Sequence, residues 1–387
     1  MNAIDAATRL LGGCTPRRFL ARYWQKRPLL VRAAIPGFAG VLSAAELAGL
    51  ACRDDAQSRL VMRRGRQWEA QQGPFAQRVL RRLPAHGWSL LVNDVNHFVP
   101  AARTLLDRFN FIPHARLDDL MVSFAPIGGG VGPHVDSYDV FLLQGPGRRR
   151  WQISHQRDLT LVAGAPLKLL RHFRPEQEFT LDPGDMLYLP PGWAHDGVAL
   201  DACMTYSIGC RAPAWHELAI HFLRFLEDRI EPSGLYADPD LGFQDSPARI
   251  GQRMVDKVAK HLEGIRWRGP DVARFLGQYL TEPKAHVFFS PAHGRLAPAA
   301  FTARVRDHGV ALDLRSQMLY FGDQFFINGT AVQVKGRACT TLSRLADMRW
   351  LPHVDTTQRG LIALLHEWYV AGYLDLRADA SATRRRP

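Results

Sequence analysis

Between residues 59 and 210 the chain is a series of short apolar or alternating runs: SRLVMRR, WSLLVNDV, LMVSFAP, DVFLLQG, RRRWQIS, DMLYLPP and CMTYSIG. The Gly/Pro clusters GGGVGP, GPG, DPGD and PPG punctuate them. Runs this short, with turns this frequent, build a β-sandwich or barrel. The pattern argues against a parallel α/β sheet, because no long helical patterns alternate with the runs.

The flanks have a different texture, and residues 1–60 read as helices. In TPRRFLARYWQKRPLLVR, Thr15 is a good N-cap with Pro16 at the first helical position, and helical spacing holds to Trp24. Ser43 and Glu46 form a capping-box pattern for a second short helix. From Pro213 the texture is helical again. Helices are expected over 214–230, from Ser246-Pro247 to about 263, and over 270–280. From about 299, helices over 338–349 and 356–371 accompany MLYFGDQFFING, a hairpin turning at Gly322-Asp323. The expected class is α+β: a barrel domain with N-terminal helices over 1–212, a helical module over 213–298 suited to packing or dimerisation, and a winged-helix-like domain with a basic tail over 299–387.

At 47% hydrophobic and 22% charged, the 387 residues have a globular composition, so a wholly disordered chain is excluded. No run approaches 18 consecutive apolar residues, so no membrane-spanning helix is expected. MNAIDAATRLLGGC has no basic leader before an apolar stretch, so no secretory signal is expected. The scattered cysteines Cys14, Cys52, Cys203, Cys210 and Cys339 fit a reducing, cytoplasmic setting without a disulfide framework. The net charge is +12. Residues 1–100 carry 15 Lys and Arg against 6 Asp and Glu. Residues 299–387 carry 12 against 8, three of the 12 being Arg384, Arg385 and Arg386. The basic excess therefore belongs mainly to the front of the chain. It reads equally as a solvated face or as a surface for ribosomal RNA.

Two segments read Pro-His-Val-Asp. Around His353 and Asp355 a structural explanation suffices, with Asp355 and Gln358 forming a capping box for the helix that follows. His134 and Asp136 lie instead at the start of a strand in GGGVGPHVDSYDVFLLQG, where residues i and i+2 share a face. LDPGDMLYLPPGWAHDG supplies a third ligand, His195, after a strand and a tight turn. Two His and one carboxylate form the facial triad of non-heme Fe(II) oxygenases, which leaves positions for a 2-oxo acid and O2. If the 2-oxo acid is 2-oxoglutarate, its far carboxylate needs a buried cation, best supplied by Arg. In Arg148-Arg149-Arg150, Arg149 shares strand parity with Trp151 and Ile153 on the apolar face. The alternative is three solvated arginines on an edge. Ser123 can add a hydroxyl donor to the same carboxylate. Tyr138 shares parity with the metal ligands and is expected to line the pocket. Asp118 and Asp119, just before the strand bearing Ser123, read first as turn caps and second as acceptors for a guanidinium.

Taken together, WQKRPLLVR, DDLMVSF, GGGVGPHVDSYDVF, QGPGRRRW and PGDMLYLPPGWAHDG resemble the JmjC-type 2-oxoglutarate oxygenases of the ribosomal oxygenase group, and within it the bacterial ribosomal protein arginine hydroxylases. The resemblance runs from about Arg18 to Arg211. It implies a double-stranded β-helix (JmjC/cupin-like), Fe(II) on His134, Asp136 and His195, and 2-oxoglutarate on Arg149 and Ser123. It also implies a homodimer through the central helices. The implied substrate is an arginine of the sixteenth large-subunit ribosomal protein, hydroxylated at the β-carbon. Rival readings are a protein histidine hydroxylase or lysine demethylase of the same fold, and a cupin-like metal isomerase. A DNA-binding regulator acting through the winged-helix-like domain is a further rival. Without its tail that domain is near charge balance, which argues against phosphate tracking, so no sequence-specific DNA binding is expected.

Overall fold

The structure is a computed structural model that describes residues 3–65, 67–227, 229, 234–291 and 295–376. Arg384, Arg385 and Arg386 lie outside the described residues. The chain divides into two compact units, 1–212 with 283–316 and 348–387, and 213–282 with 317–347.

The barrel of the first unit is built on twelve strands: β1 Leu29–Val31, β2 Ser58–Arg64, β3 Gln67–Gln72, β4 Trp88–Val92, β5 Leu117–Ala125, β6 His134–Val135, β7 Val140–Gln144, β8 Arg149–Ser154, β9 Gln177–Leu181, β10 Met186–Leu189, β11 Ala194–Ala199 and β12 Cys203–Cys210. Eight of them pair in the order β1-β10-β7-β12-β5-β4-β2-β3, and four in the order β6-β11-β8-β9. All these pairings are antiparallel, and the two sheets form a double-stranded β-helix.

Strand parity explains why several runs are apolar without a break. On β7, Val140 and Leu142 pack inward with Trp151, Ile153, Leu181, Leu187 and Leu189. The alternating Phe141 and Leu143 pack outward in a core that includes Phe19, Leu47, Leu106 and Phe109. The N-terminal helices and helix Pro100–Asp107 supply that outer layer. Both faces of the larger sheet are thus covered, and all eight residues of β12 are buried.

The expected caps are present. The Thr15 hydroxyl accepts from the Arg18 amide, and Ser43 and Glu46 form the reciprocal box. Four expectations need correction. Leu29–Val31 forms an edge strand on β10, because backbone pairing there outweighs the helical texture around it. Asp118 and Asp119 lie within β5, not before it, and neither caps a turn. The helix expected from Ser246-Pro247 begins at Gln252, after a turn in which the Arg249 amide bonds to the Ser246 carbonyl. Asp355 does not cap the following helix, which is Arg359–Val370 with Gln358 as its N-cap. The Asp355 carboxylate accepts from the backbone N–H and hydroxyl of Thr357, making a local turn that competes with helix initiation.

The first unit also holds helices Pro298–His308 and Arg359–Val370, joined through Phe301 and Tyr369. The second unit holds helices Trp215–Glu227, Gln252–Leu262 and Gly269–Thr281. Its three-stranded sheet is Met318–Phe321, Gln324–Ile327 and Thr330–Gln333, with the expected hairpin turning at Gly322.

Candidate metal and co-substrate site

His134 is the first residue of the two-residue strand β6, and it pairs directly with His195 on β11. Asp136 follows just after β6, where its backbone carbonyl accepts from the Gly192 amide in the Pro190–Trp193 turn. That bond ties the turn before His195 to the carboxylate-bearing residue. The structure brings the three side chains together, with one ligand atom from each lying within 4.8 Å of the others. His134 Nε2 is 3.8 Å from Asp136 Oδ1, and His195 Nε2 is 3.6 Å from Asp136 Oδ2. Nδ1 of His134 lies 2.9 Å from the Gly132 carbonyl, and Nδ1 of His195 lies 3.0 Å from the Trp193 carbonyl. A carbonyl can only accept, so each Nδ1 carries a proton, and in the neutral ring it is Nε2 that turns its lone pair to the shared space. Burial first, then neighbouring His134, pushes the His195 pKa down to about 4, which keeps that ring neutral and able to ligate.

Arg149 is 3% exposed, while Arg150 and Gln152, of opposite parity, are half-buried. Arg148 lies outward in an ion pair with Asp201 at 2.9 Å. The Nε and Nη2 atoms of Arg149 have no hydrogen-bond partner in the protein. A buried guanidinium in that state is costly unless an anion meets it. This orphaned cation fits a diacid whose other end reaches the His134, Asp136 and His195 cluster. Arg149 pairs with Ala199, four residues beyond His195 on the same face of β11. Ala199 packs with Ala125 and Cys203. Ser123, two residues before Ala125 on β5, is buried on that inward face.

The sequence reading missed Thr205 and Gln144. Thr205 is the cross-strand partner of both Ser123 and Gln144, so the three polar residues form a buried row. Its signal was present in CMTYSIG, where Cys203, Thr205 and Ser207 alternate with the apolar Met204, Tyr206 and Ile208.

Tyr138, two residues beyond Asp136, is 39% exposed. Burial of its hydroxyl, the charges of Asp136 and Asp119 and a hydrogen bond to Asp136 hold its pKa above the ordinary range. Asp119 shares β5 parity with Ser123 and so turns to the same interior.

The JmjC domain family matches residues 104–218, and the ROXA-like winged helix family matches residues 264–375. The chain is 34% identical over 316 residues to the ribosomal protein uL16 3-hydroxylase of Escherichia coli (strain K12), covering 81% of this chain and 84% of that protein. The chain belongs to the JmjC-domain ribosomal oxygenases. The probable ribosomal oxygenase of Haemophilus influenzae is 38% identical over 245 residues, covering 62% of this chain and 58% of that protein. Among solved structures, this ribosomal oxygenase is similar to E. coli ycfD, with a TM-score of 0.83 and 31% identity over 93% of this chain and 98% of the other. It is similar also to the structure of YcfD, a ribosomal oxygenase, in complex with cobalt and 2-oxoglutarate, at a TM-score of 0.80 and 32% identity over 94% and 98% of the two chains. No helix among the described residues of the ribosomal oxygenase is long and apolar enough to cross a membrane.

Proposed function

We propose that this ribosomal oxygenase hydroxylates the β-carbon of an arginine in the sixteenth large-subunit ribosomal protein, using Fe(II), 2-oxoglutarate and O2. The observation that carries the reading is the His134, Asp136 and His195 cluster inside the same barrel as a buried Arg149 whose Nε and Nη2 have no hydrogen-bond partner in the protein. The uL16 3-hydroxylase name of the E. coli relative supports the substrate and position, and the cobalt and 2-oxoglutarate complex of YcfD supports the cofactors.

His134, Asp136 and His195 would hold the iron, and Arg149 with Ser123 would hold the far carboxylate of 2-oxoglutarate. Bound together, these groups supply C–H hydroxylation by O2, with 2-oxoglutarate leaving as succinate and CO2. The protein's own residues set the geometry. The Gly132 and Trp193 carbonyls fix the imidazole orientations. The inter-sheet core of Leu142, Trp151, Ile153 and Leu189 keeps that end of the barrel dry. On the substrate side, Asp119 would accept the guanidinium, with Tyr138 lining the approach. Asp94, Asp118 and Asp119 gather three carboxylates around Lys284, Arg211 and His286. A guanidinium stays charged where an imidazole is mostly neutral, so a carboxylate acceptor at Asp119 favours arginine over histidine.

Incubation with large-subunit proteins, Fe(II) and 2-oxoglutarate tests the reading. An increase of about 16 Da (one oxygen, from C–H to C–OH) on an arginine of that protein is expected. Modification of a histidine, or loss of a lysine methyl group, would overturn it in favour of the same-fold rivals.

The functional division is 1–212 as oxygenase domain, 213–298 as dimerisation module and 299–387 as winged-helix-like domain. Exposed Leu223, Met254, Val255, Val258, Leu262 and Trp267 on or beside the central helices support a homodimer. Leu223→Arg with Val258→Arg should halve the mass in sedimentation, and an unchanged mass would refute that interface. A ribosomal protein substrate implies a cytoplasmic protein, and the basic front suits ribosomal RNA nearby. Association with large-subunit assembly intermediates should weaken as salt rises. A gel shift at physiological salt should show no sequence-specific DNA binding.

A further inference from the structure

We propose that Lys284 is a positioning residue for the substrate guanidinium, supplied to the oxygenase pocket by the region that matches the winged-helix family. The inference rests on the reading of Asp119 as the guanidinium acceptor.

Lys284 Nζ lies 2.8 Å from Asp94 Oδ1 and 3.1 Å from Asp118 Oδ1. One ammonium thereby bridges two elements, the loop after β4 and strand β5. Asp94 is 1% exposed and adopts a left-handed backbone, φ +53. It precedes the single turn Val95–His97, yet its side chain makes no cap to that turn. Its two oxygens are taken by Lys284 and by His286 Nε2 at 3.0 Å. The left-handed conformation directs the Asp94 amide at Asp119 Oδ2, a hydrogen bond of 3.0 Å. Lys284 thus acts on Asp119 through Asp94, and on Asp118 directly, together with Arg211 Nε at 3.2 Å.

The result is a carboxylate with one oxygen pinned and the other left for a ligand. Asp119 Oδ1 faces Gly209, and a Cβ at position 209 would stand 3.2 Å from it. A glycine there keeps the approach open. The electrostatics agree. Burial works against charge on Lys284, but Asp119, Asp118 and Asp94 outweigh it and raise its pKa. Burial pushes His97 down to about 4, so that ring adds no compensating charge beside Asp94. A lysine suits the bridging role, since its compact ammonium divides between two carboxylates, whereas a guanidinium fork favours one in bidentate fashion.

The test uses the full-length holoenzyme and an arginine-centred peptide of the sixteenth large-subunit protein. Lys284→Met should raise the peptide KM about tenfold or more, as expected for loss of a charge-assisted hydrogen bond. The kcat at saturating peptide and the KM for 2-oxoglutarate should each change less than about twofold, because neither tracks uniform substrate binding. Lys284→Arg should restore part of the peptide affinity. Asp94→Asn serves as a second variant and should reproduce the rise in peptide KM. An unchanged peptide KM in soluble Lys284→Met protein, or a parallel fall in kcat with no recovery in Lys284→Arg, would overturn the proposal. So would an unchanged peptide KM in Asp94→Asn if Lys284→Met does not fold. Asp119→Asn separates the two levels. If it raises the peptide KM while Lys284→Met does not, only the positioning role fails. If it leaves the KM unaltered, the guanidinium reading fails with it.

Discussion

His134 and His195 face each other directly across the β6–β11 register, and each ring nitrogen Nδ1 meets the carbonyl of the residue two positions earlier in its own chain segment. The ring centroids are 4.2 Å apart. Two imidazoles at that separation, both with Nε2 turned to one carboxylate, are oriented before any ion arrives. That orientation comes from backbone carbonyls, so it costs no further side-chain ordering when a ligand binds.

His134→Ala and Asp136→Ala should each abolish 2-oxoglutarate turnover while leaving the thermal midpoint of the metal-free protein within a few degrees. Both side chains are partly exposed and neither belongs to the apolar core. Decarboxylation measured in Asp136→Ala protein at the parental rate would show that the ion is held elsewhere.

Arg149→Ala should raise the KM for 2-oxoglutarate at least about 30-fold, corresponding to the ~2 kcal/mol or more lost when one partner of a buried charge pair is removed. Arg149→Lys should recover only part of this, because the planar two-point contact is lost. Initial rates against 2-oxoglutarate concentration measure both, and an unaltered requirement would point to another anchor.

Peptide binding should depend on pH through Asp119. Burial pushes its pKa up to about 7 against the opposing pull of Lys284, with Asp94 and Asp118 adding to the rise. Tyr138 also faces this region. Below that pH the carboxyl is neutral, above it anionic, and a guanidinium stays charged throughout. The peptide KM should therefore fall as pH rises through 7, by about tenfold between pH 6 and 8 for a single ionisation. Asp119→Asn should flatten the profile.

Gly197→Ala should destabilise the barrel and weaken metal binding together. A Cβ at Gly197 would lie 2.5 Å from the Trp151 ring, which itself stands 5.9 Å from the His195 ring. Overpacking of this kind costs about 1–3 kcal/mol. Calorimetry and metal titration would both register it, and an unshifted melting midpoint would mean that Trp151 moves aside freely.

Local chemistry alone determined much of this protein. The caps at Thr15 and Ser43, the strand runs of the barrel, the hairpin at Gly322 and the parity that turns Arg149 inward all depend on neighbours a few residues away. The pairing of His134 with Asp136 was legible for the same reason, and His195 followed from the strand and turn before it. Only the tertiary structure decided the rest. Leu29–Val31 became a strand because β10 offered it an edge. Asp355 turned to Thr357 and left Gln358 to cap the helix, since two local hydrogen-bonding patterns compete for the same carboxylate. The environment of Asp119 depends on Asp94, Arg211 and Lys284, which lie far apart along the chain. Sequence spacing says nothing about which distant charges will share a buried site, because that is settled by how the strands register and how the chain returns across them.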